Sequence, residues 1–152
     1  MNTLQEKNAD IHYATVVGKF VTSILSSNQA TFSVYESSKS PSISVSNYIK
    51  RWIKYSECGA TPVMMAVIYI NRLCTKTGIV LTIRNIHRIV LIAMLIAIKI
   101  YDDNCYSNMY YAKVGSISFQ EINILEEHFL RDIEWDLFIT NKEMLVYINM
   151  TG

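Results

Sequence analysis

The longest apolar run of the chain lies near its middle, where ten apolar residues follow one another from Ile89 to Ile98. A helix over residues 82–103 would be apolar on every side along this run, so other elements have to surround it. A membrane span needs about 20 apolar residues, and charged residues flank this shorter run closely. The pattern therefore predicts a buried central helix and not a membrane-spanning one.

Three further helices are predicted before the central one, each with apolar residues at helical spacing. Their predicted starts are Asp10, Ser44 or Ser46, and Thr61 followed by Pro62, with Thr82 as the cap of the central helix. Gly59 and Gly78 are the predicted ends of the second and third helices. The first helix therefore leads into a compact series of helices.

A serine-rich segment that contains Pro41 separates the first predicted helix from the second. Serine clusters and proline are typical of connecting segments, so we interpret it as a linker across the surface. Phe32, Val34 and Tyr35 are the residues expected to attach part of this linker to the core.

Three helices are predicted after the central one. A short helix should run from about Ser107 to Val114, and a longer one from Ser118 to about Ile133. A last helix should begin at Thr140, because serine or threonine followed three residues later by glutamate forms a capping pair both here and at Ser118. Residues 79–81 alone look like strand, which is too little for a sheet. The chain is therefore predicted to be all-α, with six or seven helices.

Composition mainly excludes functions. The 14 Lys and Arg residues nearly balance the 13 Asp and Glu residues without forming a basic cluster, so no nucleic-acid partner is expected. The scattered cysteines and histidines match neither a disulfide framework nor a metal site. Without a phosphate-binding glycine loop or a nucleophile motif, we expect no enzyme, no cofactor and no small-molecule substrate. The N-terminus shows no secretory signal, which predicts an intracellular protein, cytoplasmic or nuclear.

Two charged residues fall among apolar positions. On a helical wheel, Glu126 lies within the apolar stripe that contains Ile122 and Phe129. Lys99 ends the apolar run, on the least apolar side of the central helix, which we expect to be open. A charge among apolar side chains is costly unless it is paired or hydrogen-bonded. The two residues are therefore either edge positions that reach water or parts of one site on neighbouring helices.

Five segments, in order and with matching gaps, resemble the cyclin box. They read PSISVSNYIKRWIKY, PVMMAVIYINRL, AIKIYDD, SNMYYAKVGSIS and FQEINILEEHFLRDIEWDLFIT. They span about Pro41 to Thr140, and the likeness is strongest to single-box P/U-type cyclins. The resemblance implies an all-α bundle around the central helix. Residues 1–40 would be an N-terminal helix and linker, and residues 41–152 a single cyclin box with a C-terminal helix.

The resemblance also implies a function and a site. Cyclins are regulatory subunits that bind and activate a cyclin-dependent protein kinase by holding its αC helix in the active position. In the family, a lysine near the end of the third box helix and a glutamate in the fifth bind that helix. By motif these residues fall on Lys99 and Glu126. The resemblance further implies that Ile100, Leu130 and Trp135 face the kinase.

The docking patch of larger cyclins is not matched. That patch reads Met-Arg-Ala-Ile-Leu, whereas the corresponding residues here, 45–49, read VSNYI. A later tryptophan of the patch has a counterpart in Trp52, which is therefore a possible docking residue.

A second function is compatible with the same fold. A cyclin-fold adaptor of the transcription machinery would bind protein or promoter DNA. This alternative predicts a basic face, whereas the basic residues of this chain are distributed over several predicted helices. We therefore expect a kinase partner and no membrane attachment.

Overall fold

The computed structural model describes residues 4–26, 33–38 and 41–151. These residues form seven α-helices and no strand, so the all-α prediction is confirmed. In chain order the helices are α1 (Leu4–Ser23), α2 (Val45–Ser56), α3 (Ala60–Thr77), α4 (Ile86–Tyr101), α5 (Asn108–Gly115), α6 (Phe119–Asp132) and α7 (Asn141–Thr151).

The central helix α4 is covered by its neighbours. Every residue from Ile89 to Ile98 is buried, because α2, α3 and α6 pack against this helix. These residues include Ile92 and Leu95, which are fully buried. They lie on the least apolar side of the helix, the side that was expected to be open. The expectation of an open side was therefore wrong for most of the helix. Exposure begins only in the last turn, at Lys99 and Ile100.

The structure confirms the predicted helix starts at Ser44, Ser107, Ser118 and Thr140, and a side-chain hydroxyl caps each of these helices. The hydroxyl oxygens of Ser44, Ser107, Ser118 and Thr140 accept the backbone N–H groups of Asn47, Tyr110, Glu121 and Glu143 at 3.1, 3.3, 3.0 and 3.1 Å. Each bond satisfies an N–H group that has no partner within its own helix. These starts fix where α2, α5, α6 and α7 begin.

Other predicted boundaries were wrong. Asp10 lies inside α1, and Thr61 lies in the first turn of α3, where Gly59 is the N-cap residue. The helix α2 ends at Ser56 and not next to Gly59. The reason is that Glu57 and Gly59 adopt left-handed φ angles of 56° and 73°, which reverse the chain without a side-chain cap on α3.

Thr82 does not cap α4, which begins at Ile86. A turn of residues 82–85 precedes the helix, and the side chain of Asn85 closes it. Its Oδ1 accepts the N–H of Thr82 at 2.9 Å, and its Nδ2 donates to the carbonyl of Val80 at 2.9 Å. A threonine before an apolar run therefore marks this turn and not the helix itself.

The described part of the linker packs against the bundle. Tyr35 is buried, donates its hydroxyl hydrogen to Asp132 Oδ2 at 2.7 Å and meets the ring of Phe129 edge to face. Val34 is partly buried against the core, whereas Phe32 lies outside the described residues. The segment therefore attaches to the end of α6.

The contact between α1 and α2 depends on Gly18. A Cβ atom at this position would lie 2.5 Å from the Cα atom of Ser46, so the two helix backbones could not keep their spacing. We expect Gly18→Ala to lower the free energy of unfolding by about 1–2 kcal/mol, although alanine favours helix more than glycine does. Urea denaturation measures this, with exposed Lys19→Ala as the control. A stabilised Gly18→Ala variant would show that the helices are not in such close contact.

His87 predicts a dependence of stability on pH. Burial lowers the pKa of this imidazole and the nearby Arg51 lowers it further, whereas the hydrogen bond from Nε2–H to the carbonyl of Ile43, at 2.6 Å, offsets part of this shift. Because the unfolded chain binds the proton more readily, stability should fall as the pH drops below 6.5, the ordinary pKa of histidine. Urea denaturation between about pH 5 and pH 8 should show this loss in the wild type and not in His87→Gln. His12→Gln is the control, since His12 is exposed, and an unchanged slope in His87→Gln would contradict the assignment.

Candidate functional site

The two charges singled out in the sequence are in direct contact. Lys99 Nζ in the last turn of α4 lies 2.7 Å from Glu126 Oε2 in the middle of α6. The Lys99 side chain is 33% exposed and that of Glu126 is 19% exposed. The pair therefore lies at the surface, where the central helix emerges from the bundle.

A third residue fixes the orientation of the Glu126 carboxylate. Asn108, the first residue of α5, donates its amide Nδ2–H to Glu126 Oε1 at 3.1 Å and to Asn123 Oδ1 at 2.8 Å. Each carboxylate oxygen thus accepts one hydrogen bond, from Lys99 on one side and from Asn108 on the other. Sequence reasoning missed Asn108, because a polar residue at the start of a helix is ordinarily just exposed to solvent.

The ion pair keeps hydrogen-bonding capacity for a partner. An ammonium group has three N–H donors and a carboxylate has about four acceptor positions, and the contacts to Asn108 and between Lys99 and Glu126 occupy only some of them. Solvent-exposed ion pairs contribute about 0.2–1 kcal/mol to stability, and this partly covered pair lies toward the upper end of that range. The fold therefore depends little on these two side chains, and they can bind another molecule without rearranging the bundle.

Apolar residues continue the surface on both helices. Ile100, next to Lys99, is 50% exposed, and Leu130, one turn after Glu126 on α6, is partly buried. Trp135 follows α6 and is 66% exposed, while its backbone N–H donates to the carbonyl of Leu130 at 2.9 Å. The five predicted kinase-facing residues thus lie at the end of α4, along α6 and just after it.

Trp135 stands on a strained backbone. Glu134 and Trp135 have φ angles of 58° and 57°, in the left-handed region that residues other than glycine rarely adopt. Each such residue costs about 1–2 kcal/mol, so the surrounding structure has to maintain this conformation. The chain turns here between α6 and α7, and the Trp135 side chain is exposed.

Trp52 belongs to the core, and its predicted docking role was wrong. Its side chain is 0% exposed and stacks on the ring of Tyr111 with centroids 5.8 Å apart and an interplanar angle of 16°. The apolar side of α2 faces α4 and α5, so a tryptophan on that side packs inward. No surface is left for a docking peptide at this position.

Other kinds of site find little support in the part of the chain that is described. Within it, no group of three or more histidine, cysteine, aspartate or glutamate side chains could hold a metal ion. None of the helices there has the length and apolar character needed to cross a membrane. A cavity of about 280 Å³ between α1, α3 and α7 has a mainly apolar lining that includes Phe20, Val67 and Tyr147. The charged pair therefore remains the strongest candidate for a functional site.

Comparison with known proteins identifies the family. A sequence profile of the cyclin family matches residues 3–137, which cover most of the chain. The chain belongs to the cyclin family. This match includes the first four segments on which the sequence resemblance was based and the fifth up to residue 137, together with the helix α1 that precedes them.

Two relatives show which cyclins this chain is similar to. Cyclin-U4-2 of Arabidopsis thaliana is 37% identical over 109 residues, which cover 71% of this chain and 50% of that protein. Cyclin-P4-1 of Oryza sativa subsp. japonica is 36% identical over 112 residues, covering 73% of this chain and 53% of that protein. The predicted likeness to P/U-type cyclins is confirmed. The chain spans about half the length of the curated relatives it matches.

Truncation of the two tryptophans of this cyclin should lower its stability by very different amounts. Trp52→Ala removes a fully buried ring and should lower the free energy of unfolding by about 3–5 kcal/mol. Trp135→Ala removes an exposed ring and should change it by less than about 1 kcal/mol. Urea denaturation followed by circular dichroism compares them without relying on indole fluorescence. Similar losses for both variants would contradict the assignment of one residue to the core and the other to the surface.

Proposed function

We propose that this cyclin is the regulatory subunit of a cyclin-dependent protein kinase. The observation that supports this most is the Lys99–Glu126 pair, in which the two residues that the family resemblance assigns to kinase binding meet at 2.7 Å. Ile100, next to Lys99, and Trp135, just after α6, are both exposed, so the two helices that carry the pair also offer apolar surface.

The pair suits the backbone of a helix as its ligand. The last turn of a helix leaves carbonyl groups without partners, and the first turn leaves N–H groups without partners. Lys99 can donate to carbonyls of this kind, and Glu126 can accept from N–H groups. Contacts to backbone groups do not depend on which side chains the bound helix carries. They fix where that helix lies along its own axis, so the pair would set the register of the bound helix.

Apolar contacts would supply most of the attachment. Burial of apolar surface contributes about 25 cal/mol per Å² removed from water, and large aromatic side chains are frequent energetic centres of interfaces. Ile100, next to Lys99, and Trp135, just after α6, offer such surface, and partly buried Leu130 adds to it on α6. The charges then select the binding geometry, while the apolar residues hold the partner.

Activation follows from differential affinity. A protein kinase is active when the lysine of its third strand pairs with a glutamate of its αC helix and the activation loop is ordered. A cyclin that binds the αC helix better in this position than in the inactive one shifts the population to the active state. The catalytic groups all belong to the kinase, so this chain acts as a regulator without chemistry of its own.

Substitution of either charged residue tests the proposal. The kinase is first identified by affinity purification from native cells, and its affinity for each purified variant is then measured by calorimetry. We expect Lys99→Ala and Glu126→Ala each to raise the Kd about tenfold or more, because the partner's backbone groups lose a charged hydrogen-bond partner. Thermal melts of both variants should stay close to that of the wild type, since the pair contributes little to the fold.

Matched controls are available on the same helix and nearby. Glu127→Ala removes the neighbouring carboxylate of α6, and Lys113→Ala removes an exposed lysine of α5; both should bind the kinase as the wild type does. Unchanged affinity of the Lys99 and Glu126 variants, together with lower melting temperatures, would assign the pair a structural role. Recovery of transcription factors and no kinase would favour the adaptor function.

A further inference from the structure

Arg72 connects α3 to the segment between α6 and α7. Its side chain is 12% exposed and donates to two backbone carbonyls, from Nη1 to Asp136 at 2.6 Å and from Nη2 to Phe138 at 2.8 Å. Nη2 also contacts Glu143 Oε2 in the first turn of α7 at 2.8 Å. The guanidinium thus holds the connecting backbone and the start of the next helix together.

Tyr69, one turn earlier on α3, binds the carbonyl between those two. Its hydroxyl donates to the carbonyl of Leu137 at 2.8 Å, and its buried ring lies 5.8 Å from the Arg72 guanidinium. Three consecutive carbonyls, those of residues 136–138, therefore accept hydrogen bonds from two side chains of α3. We call Tyr69, Arg72 and these three carbonyls the carbonyl clamp.

The carbonyl clamp holds the backbone next to the aromatic side chains of the connection. At the other end of the connection, next to α6, the N–H of the strained residue Trp135 donates to the carbonyl of Leu130. The connection is thus fixed at both ends, and the side chains of Trp135 and Phe138 are 66% and 80% exposed. Residues with strained φ angles persist only where the surrounding structure fixes them, and they are frequent at ligand-binding sites.

The charges around the carbonyl clamp are already paired within the chain. Arg72 pairs with Glu143, and Lys76 lies 3.6 Å from both Glu134 and Asp136. The large exposed side chains next to the carbonyl clamp are the apolar rings of Trp135 and Phe138. Rings held in place before binding lose little conformational entropy in a complex, which is why rigid aromatic residues are efficient interface anchors.

We infer that Arg72 is a positioning residue that fixes Trp135 for contact with the kinase. This inference rests on the proposed function, and the partner is the kinase bound at Lys99 and Glu126. The reason is continuity: Trp135 is hydrogen-bonded to Leu130, which lies one turn after Glu126 on the same helix. Arg72 itself is mostly covered and acts through the backbone that carries Trp135.

A double-mutant cycle separates positioning from a general structural role. The Kd for the kinase is measured for Arg72→Gln, Trp135→Ala and the double variant. Arg72→Gln should raise the Kd about fivefold, and the double variant should bind no more weakly than Trp135→Ala alone, because the contact that Arg72 positions is already lost. A second cycle with Lys99→Ala is the control, and there the two effects should multiply. Multiplying effects in the cycle with Trp135 would overturn the inference.

A spectrum of the free protein provides a readout that requires no kinase. The chain contains only two tryptophans, so 5-fluorotryptophan labelling gives one fluorine resonance for Trp52 and one for Trp135. Arg72→Gln should shift and sharpen the Trp135 resonance, as expected for a ring that gains mobility, and leave the buried Trp52 resonance unchanged. An unchanged Trp135 resonance would overturn the inference.

A second variant, Arg72→Lys, tests the inference even if Arg72→Gln does not fold. Lysine keeps the charge opposite Glu143 but cannot bind two carbonyls in the planar geometry of a guanidinium. We therefore expect Arg72→Lys to bind the kinase more weakly than the wild type and more tightly than Arg72→Gln. Wild-type affinity for Arg72→Lys would contradict the role of the carbonyl bonds. If the wild type itself binds no kinase, the proposed function fails, and the fluorine spectrum still decides whether Arg72 positions Trp135.

Discussion

The need to cover a helix that is apolar on all sides governs this structure. The run from Ile89 to Ile98 can be buried only if α2, α3 and α6 surround α4, and this arrangement leaves the last turn of α4 as the place where the helix reaches the surface. Lys99 stands at that point, and α6, which covers one side of the run, brings Glu126 next to it. The location of the candidate site thus follows from the packing of the core.

Local sequence signals predicted the elements better than their contacts. Helical spacing and serine caps located α2, α5 and α6, since a capping hydroxyl needs only a backbone N–H three residues away. The prediction that Thr82 caps α4 failed because the side chain of Asn85 closes a turn there, and no local sequence pattern marks Asn85. Trp52 misled because the family position suggested a surface, whereas the apolar side of α2 faces inward in this chain.

The two side chains that sequence reasoning missed form hydrogen bonds over long separations in the chain. Asn108 reaches Glu126 across 18 residues, and Arg72 reaches Glu143 across 71. Neither pairing has a signature in local spacing, and both depend on how the helices dock. The core and the candidate site are also made of different residues: Trp52 and the α4 run form the core, whereas the charged pair and Trp135 lie at the surface.

Hydrogen–deuterium exchange of the purified kinase–cyclin complex tests the central claim most directly. The account predicts that the amides at the end of α4 and the exposed amides of residues 124–138 exchange more slowly in the complex than in the free cyclin, and that the kinase αC helix is protected as well. Protection confined to the α1, α3 and α7 side of the cyclin, with the αC helix unaffected, would contradict it.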